Sequence, residues 1–238
     1  MIPRTAPIAG LLFALVLACS AGPTLAADPN EFSRAENLVF VDRHLGNLKP
    51  PTALRYEYVK SGALEPGFTD GVRVEVDRSG KACCTVKTTF LSGERLVDLP
   101  PLEGAESNPV ILYFLERDVR EMARLTARKS GNYFRNRIRR TMVEEAKVRD
   151  TTVSWQGKDL PAREVTLTPY DNDPARSRFE RYAKKQYTFL LAPGVPGGVF
   201  QIRSSMAGSQ AGDPALMIEE VMSFAGTDTA PAAPAAKR

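Results

Sequence analysis

Two adjacent cysteines, Cys83 and Cys84, are the first residues whose chemistry would depend on their spacing. In an oxidising compartment any thiol pair can become a disulfide or a redox switch. Neighbours on a strand point to opposite faces, so Cys84 shares a side with Val86 and Phe90 while Cys83 sits with Thr85 and Lys87. The pair therefore reads as a buried thiol beside a surface thiol. A vicinal disulfide is the alternative and requires distorted backbone; a surface Cys83 could also pair between chains. The only histidine, His44, lies near the end of a first helical segment, where a positive charge suits the helix dipole or the ring simply covers the edge of the core. One histidine, with no C-x-x-C and no H-E-x-x-H, leaves zinc and haem without a ligand set, so neither a metal nor a cofactor is expected. There is no G-x-S-x-G, no phosphate loop and no dinucleotide fingerprint, and no catalytic residue is assigned. Asp171-Asn172-Asp173 opens like a calcium loop, but Arg176 stands where the loop needs glycine and Tyr182 where it closes on glutamate. Helix capping by Asp173 explains it better.

Charge patterning is more informative. Glu116 with Arg120, and Arg117 with Glu121, have the i,i+4 spacing of helix-surface pairs and read as a solvated face. Beyond them Arg124, Arg128, Lys129, Arg135, Arg137, Arg139 and Arg140 follow without one intervening acid, with Tyr133 and Phe134 among them. Arginine forks suit phosphate and carboxylate oxygens, so Arg124, Arg128, Arg135 and Arg139 are candidates to meet an anionic envelope component or an acidic protein partner. The bland reading is that these arginines are the wet side of a helix whose Phe134, Ile138 and Met142 are core.

The elements that position these groups follow from periodicity. Residues from Asn30 to about Leu45 read as a helix capped by Asn30, with Phe32, Ala35, Leu38, Val39 and Val41 as its apolar stripe. Leu54, Tyr56 and Tyr58, then Val72, Val74 and Val76, alternate with charged residues as half-buried strands do, and Asp77-Arg78-Ser79-Gly80 turns into a strand from Lys81 to Leu91. Asn108-Pro109 then caps a helix carrying Ile111, Leu115, Val119, Met122 and Leu125 at helical spacing. The Ser130-Gly131 break leads to a second helix, about Asn132 to Lys147. Strands resume at Thr151–Trp155 and Ala162–Thr168, a short helix begins at Asp173-Pro174, and strands Tyr187–Leu191, Val199–Ser204 and Leu216–Phe224 finish the pattern. Eight strands joined by short links, except where helices intervene, favour one α+β domain with a curved, mostly antiparallel sheet that could be an incomplete barrel.

The ends of the chain point to a compartment. Arg4, an apolar run from Ile8 to Ala18, and small residues leading to Leu25-Ala26-Ala27 have the layout of a secretory signal, so residues 1–26 are set aside. Cys19 after Val16-Leu17-Ala18 loosely resembles a lipoprotein signal, which makes a soluble periplasmic protein the first expectation and a lipid-anchored one the second. Residues 28–225 form the domain, and 226–238, rich in Ala and Pro, a disordered tail. Removing the signal lowers the formal charge of +4 by one, a mild excess that neither requires nor excludes an anionic partner. Nucleic acid is not expected in this compartment.

An N-terminal helix, an antiparallel sheet interrupted by amphipathic helices, and a signal peptide together resemble the periplasmic carriers of lipoproteins and lipids of the LolA/LolB and LppX types. The resemblance covers most of the mature chain and is one of architecture. It implies an incomplete barrel partly closed by helices, with acyl chains held on the concave face. Carried onto this chain, Tyr56, Tyr58, Val72, Val74, Phe90, Phe189 and Leu191, with Leu54, Phe200 and Ile202 beside them, would supply that face. Phe114, Leu115, Met122, Phe134 and Ile138 would form the lid. The same alternation would arise in a filled core. Three functions are thus open: a non-enzymatic envelope protein binding a lipid or other amphiphile between sheet and helices; an interaction module of an envelope assembly using the arginine-rich helix pair; and an envelope hydrolase without a recognisable motif.

Overall fold

The computed structural model describes residues 32–79, 82–97 and 99–228, apart from the side chains of residues 79, 82 and 83. The signal segment, Cys19, the Asn30 cap and the tail beyond residue 228 lie outside these residues. Eight strands make one antiparallel sheet: β1 (Thr52–Ser61), β2 (Phe68–Ser79), β3 (Ala82–Phe90), β4 (Lys147–Trp155), β5 (Lys158–Leu167), β6 (Lys185–Leu191), β7 (Val199–Met206) and β8 (Ile218–Asp228). Their order, β3-β2-β1-β8-β7-β6-β5-β4, pairs the first strand with the last at the centre and leaves β3 and β4 as the two edges. Helices α2 (Val110–Leu125) and α3 (Asn132–Glu144) link those edges, so the connection crosses one face of the sheet. The α+β domain with a curved, unclosed antiparallel sheet expected from the sequence is the fold observed.

The curvature has a direct measure. Trp155 on β4 and Phe224 on β8 are four strands apart, about 19 Å along a flat sheet at about 4.8 Å per strand, yet their ring centroids are 4.9 Å apart. The sheet therefore curls its inner face around a core that α2 fills with Val110, Ile111, Phe114, Leu115, Val119 and Met122, all buried. Gly131, between the helices, lies so close to Val119 that an added Cβ would fall 2.3 Å from its Cγ1. That contact explains the glycine at the break between the helices.

Several local expectations are corrected. The first helix is short: α1 is Arg34–Glu36, continued by a π-helical turn Asn37–Val41. Ser33 caps it by accepting from the Glu36 N–H while Glu36 accepts from the Ser33 N–H. Ala35 and Val39 are buried, but Phe32 and Val41 are exposed, so the apolar stripe is narrower than the sequence suggested. Asp77 and Arg78 pair within β2, where a bulge puts Thr85 opposite Asp77 and Cys83 opposite Arg78 and leaves Cys84 as the extra residue. A second bulge, between β6 and β7, turns Val199 inward and leaves Phe200 only half-buried, so Phe200 is not a full member of the inner face. After Asp173 there are two 3-10 turns, Arg176–Arg178 and Glu180–Tyr182, instead of a helix. The tail boundary moves as well: β8 continues to Asp228, which pairs with Ala53 and receives Arg55 and Arg73 in ion pairs. Finally, Cys84 is disulfide-bonded and not a free buried thiol. Its partner lies outside the described side chains, and its place at a bulge shows that the backbone there is not a regular strand.

Candidate functional site

The twelve side chains assigned to an acyl-binding face and its lid come together as one core. Tyr56, Tyr58, Val72, Val74 and Phe90 from β1–β3 and Phe189 and Leu191 from β6 meet Phe114, Leu115 and Met122 from α2 and Phe134 and Ile138 from α3. All are 7 % exposed or less. Tyr58 packs against Phe90 and Phe114 at 6.0 Å between ring centroids, and Phe134 packs edge-on to Tyr170 and Phe179. The helices rest directly on the sheet, with their apolar faces where an acyl chain would lie.

One end of that inner face is charged. Reading across the central strands, Lys60 on β1 is opposite Glu220 on β8, Glu220 opposite Ser204 on β7, and Ser204 opposite Tyr187 on β6. All four are buried. One pleat further in, the row is Tyr58, Met222, Ile202 and Phe189. The helix α2 answers the polar row residue by residue. The Lys185 ammonium and the Ser204 hydroxyl (3.2 Å) meet Asp118 Oδ1, and the Tyr187 hydroxyl donates to Asp118 Oδ2 at 2.5 Å. Arg117 donates to Glu220 and, at 2.6 Å, to the Tyr58 hydroxyl oxygen. Lys60 donates to Glu65 at 2.7 Å and to Glu121 at 3.1 Å. Burial pushes the Glu121 carboxyl up, but hydrogen bonds and charge from Arg124 and Lys60 outweigh it and hold the carboxyl at about 2. Burial, with Glu220 nearby, pushes the Tyr58 hydroxyl well up and keeps it protonated. Arg117 and Asp118 are therefore not on a solvated helix face, and Glu116 pairs with Arg135 of α3 through two bonds, 2.6 and 2.7 Å.

The sequence carries a signal for this network. Lys60 continues the inward series Leu54, Tyr56, Tyr58; Glu220 sits in Ile218, Met222, Phe224; Lys185 precedes Tyr187, Phe189, Leu191. Asp118 falls four residues after Phe114 and four before Met122, in the middle of the apolar stripe. Charges at inward positions on four separate elements imply a partnered buried cluster.

The four arginines chosen for an anionic partner have different environments. Arg124 is held by Glu65 and Glu121, and Arg135 by Glu116. Arg128 lies over the Tyr133 ring at 4.7 Å. Arg139 is exposed and has neither hydrogen bond nor ion pair among the described residues, as is also true of Lys129 and Arg120. Arg137, in the same stretch, turns inward to Asp173, whose other oxygen takes the Tyr133 hydroxyl; burial and that carboxylate push the Tyr133 hydroxyl up to about 12. Asp173 also accepts from the Ala175 N–H, so it caps a turn as expected and anchors α3 as well.

Two of the cavities among the described residues lie beside the core and carry arginines on their walls. One, about 280 Å³, lies between α2 and the segment after β3 and is lined by Val97, Leu99 and Tyr113 together with Arg95, Arg117, Arg120 and Arg124. Glu116 and Glu121 are also on its wall, so cations lead there by four to two. The other, about 230 Å³, lies beside His44. His44 is bonded at both ring nitrogens: Nε2 donates to the Leu38 carbonyl at 2.8 Å, and Nδ1 accepts from the Asn108 N–H at 3.3 Å. Burial lowers its pKa, against the Leu38 carbonyl and Asp42, so the ring is the neutral one this geometry needs. Among the described residues no group of three His, Cys, Asp or Glu could hold a metal ion.

No family model matches the chain, and no curated protein does. Among solved structures, the chain is similar to the lipoprotein LppX of Mycobacterium tuberculosis at 12 % identity over 81 % of this chain and 95 % of that one, with a TM-score of 0.33. A lipoprotein-sorting protein domain from Vibrio parahaemolyticus matches at 9 % identity over 77 % and 87 %, TM-score 0.25. A LolA-superfamily protein from Nitrosomonas europaea matches at 7 % identity over 83 % and 94 %, TM-score 0.22. Likenesses of this size carry no conclusion about cargo, which has to come from the chain's own residues.

Proposed function

We propose that this protein is a non-enzymatic envelope carrier of an anionic amphiphile, taken up between the sheet and the α2–α3 pair. The observation that carries the reading is the polarity of the inner face. A contiguous apolar surface from Tyr56 to Leu191 is bounded at one end by a charged row, and beside that row opens the cavity with Arg95, Arg117, Arg120 and Arg124 on its wall. A tail would take the place of the α2 apolar face, and a head bearing phosphate or carboxylate would take Arg120 and its neighbours. Cargo uptake in this reading requires the helix pair, which joins the two edge strands β3 and β4, to lift from the sheet. Export through the signal segment places the protein in the periplasm in this reading, with anchoring at Cys19 as the variant form.

The test is titration of the mature protein with a fluorescent phosphatidic acid and its neutral diacylglycerol counterpart. Preferential binding of the anionic lipid, weakened about tenfold by Arg120→Glu, is the expected result. Equal binding of both lipids, or binding indifferent to Arg120, would remove the head-group assignment, and no binding of either would remove the carrier.

The second reading, an interaction module, is supported by Arg139 on α3 and Lys129 in the loop before it, both exposed and without an ion pair among the described residues. Cross-linking in the envelope that recovers one defined protein partner through that face would favour it over the carrier.

A further inference from the structure

The cavity beside His44 shares Leu191 alone with the twelve residues of the inner apolar face and no residue with the arginine groove on α2. Its apolar wall is Leu38, Leu191 and Pro193; its polar members are Asp42, Arg43, His44, Asn47 and Arg163, with Gly198 at the base. The walls are fixed in advance. Asn47 accepts from the Gly197 N–H at 3.0 Å and donates to the Pro193 and Val195 carbonyls at 2.9 and 2.7 Å, which pins the β6–β7 loop. Gly198 has φ +70°, and a Cβ there would lie 3.1 Å from His44 Cβ and Cδ2, so the loop lies close against the histidine. His44 is in turn held at both nitrogens and cannot turn into the space.

The two cations at the rim are held far less firmly. Arg163 meets Asp150 at 3.1 Å and Arg43 meets Glu106 at 3.3 Å, and those acids are 71 % and 54 % exposed. Ion pairs of this kind exchange readily with another anion. A rigid apolar pocket with two exchangeable guanidinium groups at its mouth and one carboxylate, Asp42, fits a hydrocarbon carrying one negative end. A volume of about 230 Å³ is below the roughly 300–1,000 Å³ of pockets that enclose drug-sized ligands, which suits one short chain. We infer that this cavity is a second ligand site that takes a small carboxylate-terminated hydrocarbon, its carboxylate on Arg43 and Arg163 and its chain against Leu38, Leu191 and Pro193.

His44 makes the site directly observable, because it is the only histidine of the chain and its ring proton signals are unique in an untagged protein. Octanoate added to the mature protein should shift the His44 ring resonances saturably, with half-saturation below about 1 mM for a ligand of this size. Octylamine, with the opposite charge, should leave them unmoved. Arg163→Met should weaken the octanoate response at least tenfold, and Leu38→Phe, which narrows the chain pocket, should weaken it too. Both variants are checked for an unchanged fold by far-UV circular dichroism and by the midpoint of urea unfolding, and each response is read against that variant's own free-state His44 signals. An Arg163→Met chain that fails this check is replaced by Arg43→Met, read the same way, and a Leu38→Phe chain that fails it is set aside so that the arginine variants decide. Octanoate that binds without moving His44, a response equal for octylamine, or a response unaffected by the variants would each overturn the assignment. Phosphatidic acid binding at the α2 groove is read separately, so failure here leaves the carrier proposal standing, and the reverse.

Discussion

Asp118 is the residue through which α2 is fixed to the polar end of the sheet, and replacing it by asparagine removes the charge while nearly preserving the shape. The Lys185 ammonium, 0 % exposed, would then face a neutral carbonyl. Removing one partner from a buried ion pair costs about 3–5 kcal/mol, because an uncompensated charge remains in the core. The Tyr187 and Ser204 hydroxyls, which now donate to Asp118, can still donate to the amide oxygen, so the lower end, about 3 kcal/mol, is expected. In a domain of this size each kcal/mol corresponds to about 2–4 °C, giving a fall of about 6–12 °C in Tm. Asp118→Leu combined with Lys185→Met removes both charges. An apolar pair of similar volume is neutral or stabilising by about 1–4 kcal/mol, but two hydroxyls lose their acceptor at about 1–3 kcal/mol each, so the double variant should lie between about 2 kcal/mol more stable and about 6 kcal/mol less stable than the parent. Urea unfolding followed by circular dichroism and by Trp155 fluorescence measures both variants and shows whether the transitions coincide. An Asp118→Asn cost under about 1 kcal/mol would refute a buried ionic cluster as what seats α2.

Other outcomes follow from the same geometry. Truncating Phe114, which is buried between α2 and Tyr58, to alanine should cost about 3–5 kcal/mol in urea unfolding, as a large cavity in a packed core does. Gly131→Val should destabilise by about 1–3 kcal/mol, because its side chain would enter the space of Val119. The burial-lowered pKa of His44 means that its contribution to stability is fully present above the unfolded value of about 6.5 and is lost as pH falls below it. His44→Gln should flatten that part of the stability profile. Glu121, held at about 2, contributes stability above its ordinary range near 4.5 that disappears as pH falls from there toward 2. Glu121→Gln should therefore remove part of the acid transition in that window.

Much of the architecture was legible because it depends on periodicities that local sequence carries. The alternation through Tyr56 and Tyr58, and the helical spacing through Ile111, Leu115, Val119 and Met122, report which face each element buries, and the structure buries those faces. The first helix was overextended because Phe32 and Val41 match helical spacing yet are exposed; periodicity reports spacing and not what lies opposite it. Bulges are equally hidden, since one extra residue at Cys84 or Phe200 changes the facing of a strand without changing its composition. The polar row was half-visible. Lys60, Glu220, Lys185 and Asp118 each occupy an inward position, but single charges there look like errors of register until the sheet order sets Lys60 beside Glu220 and α2 brings Asp118 to Lys185. The arginine patch divides for a similar reason: Arg124, Arg135 and Arg139 look alike in sequence, and only tertiary placement gives the first two carboxylate partners.

The most direct measurement of the carrier claim is native mass spectrometry of the mature protein, purified from its own envelope without detergent, followed by solvent extraction of what it holds. The account predicts a reproducible adduct near one per chain whose extract is an anionic amphiphile, retained by the parent and depleted in Arg120→Glu. A clean unliganded mass from gentle preparations, with a defined protein partner recovered in its place, would contradict it and move the function to the surface of α3.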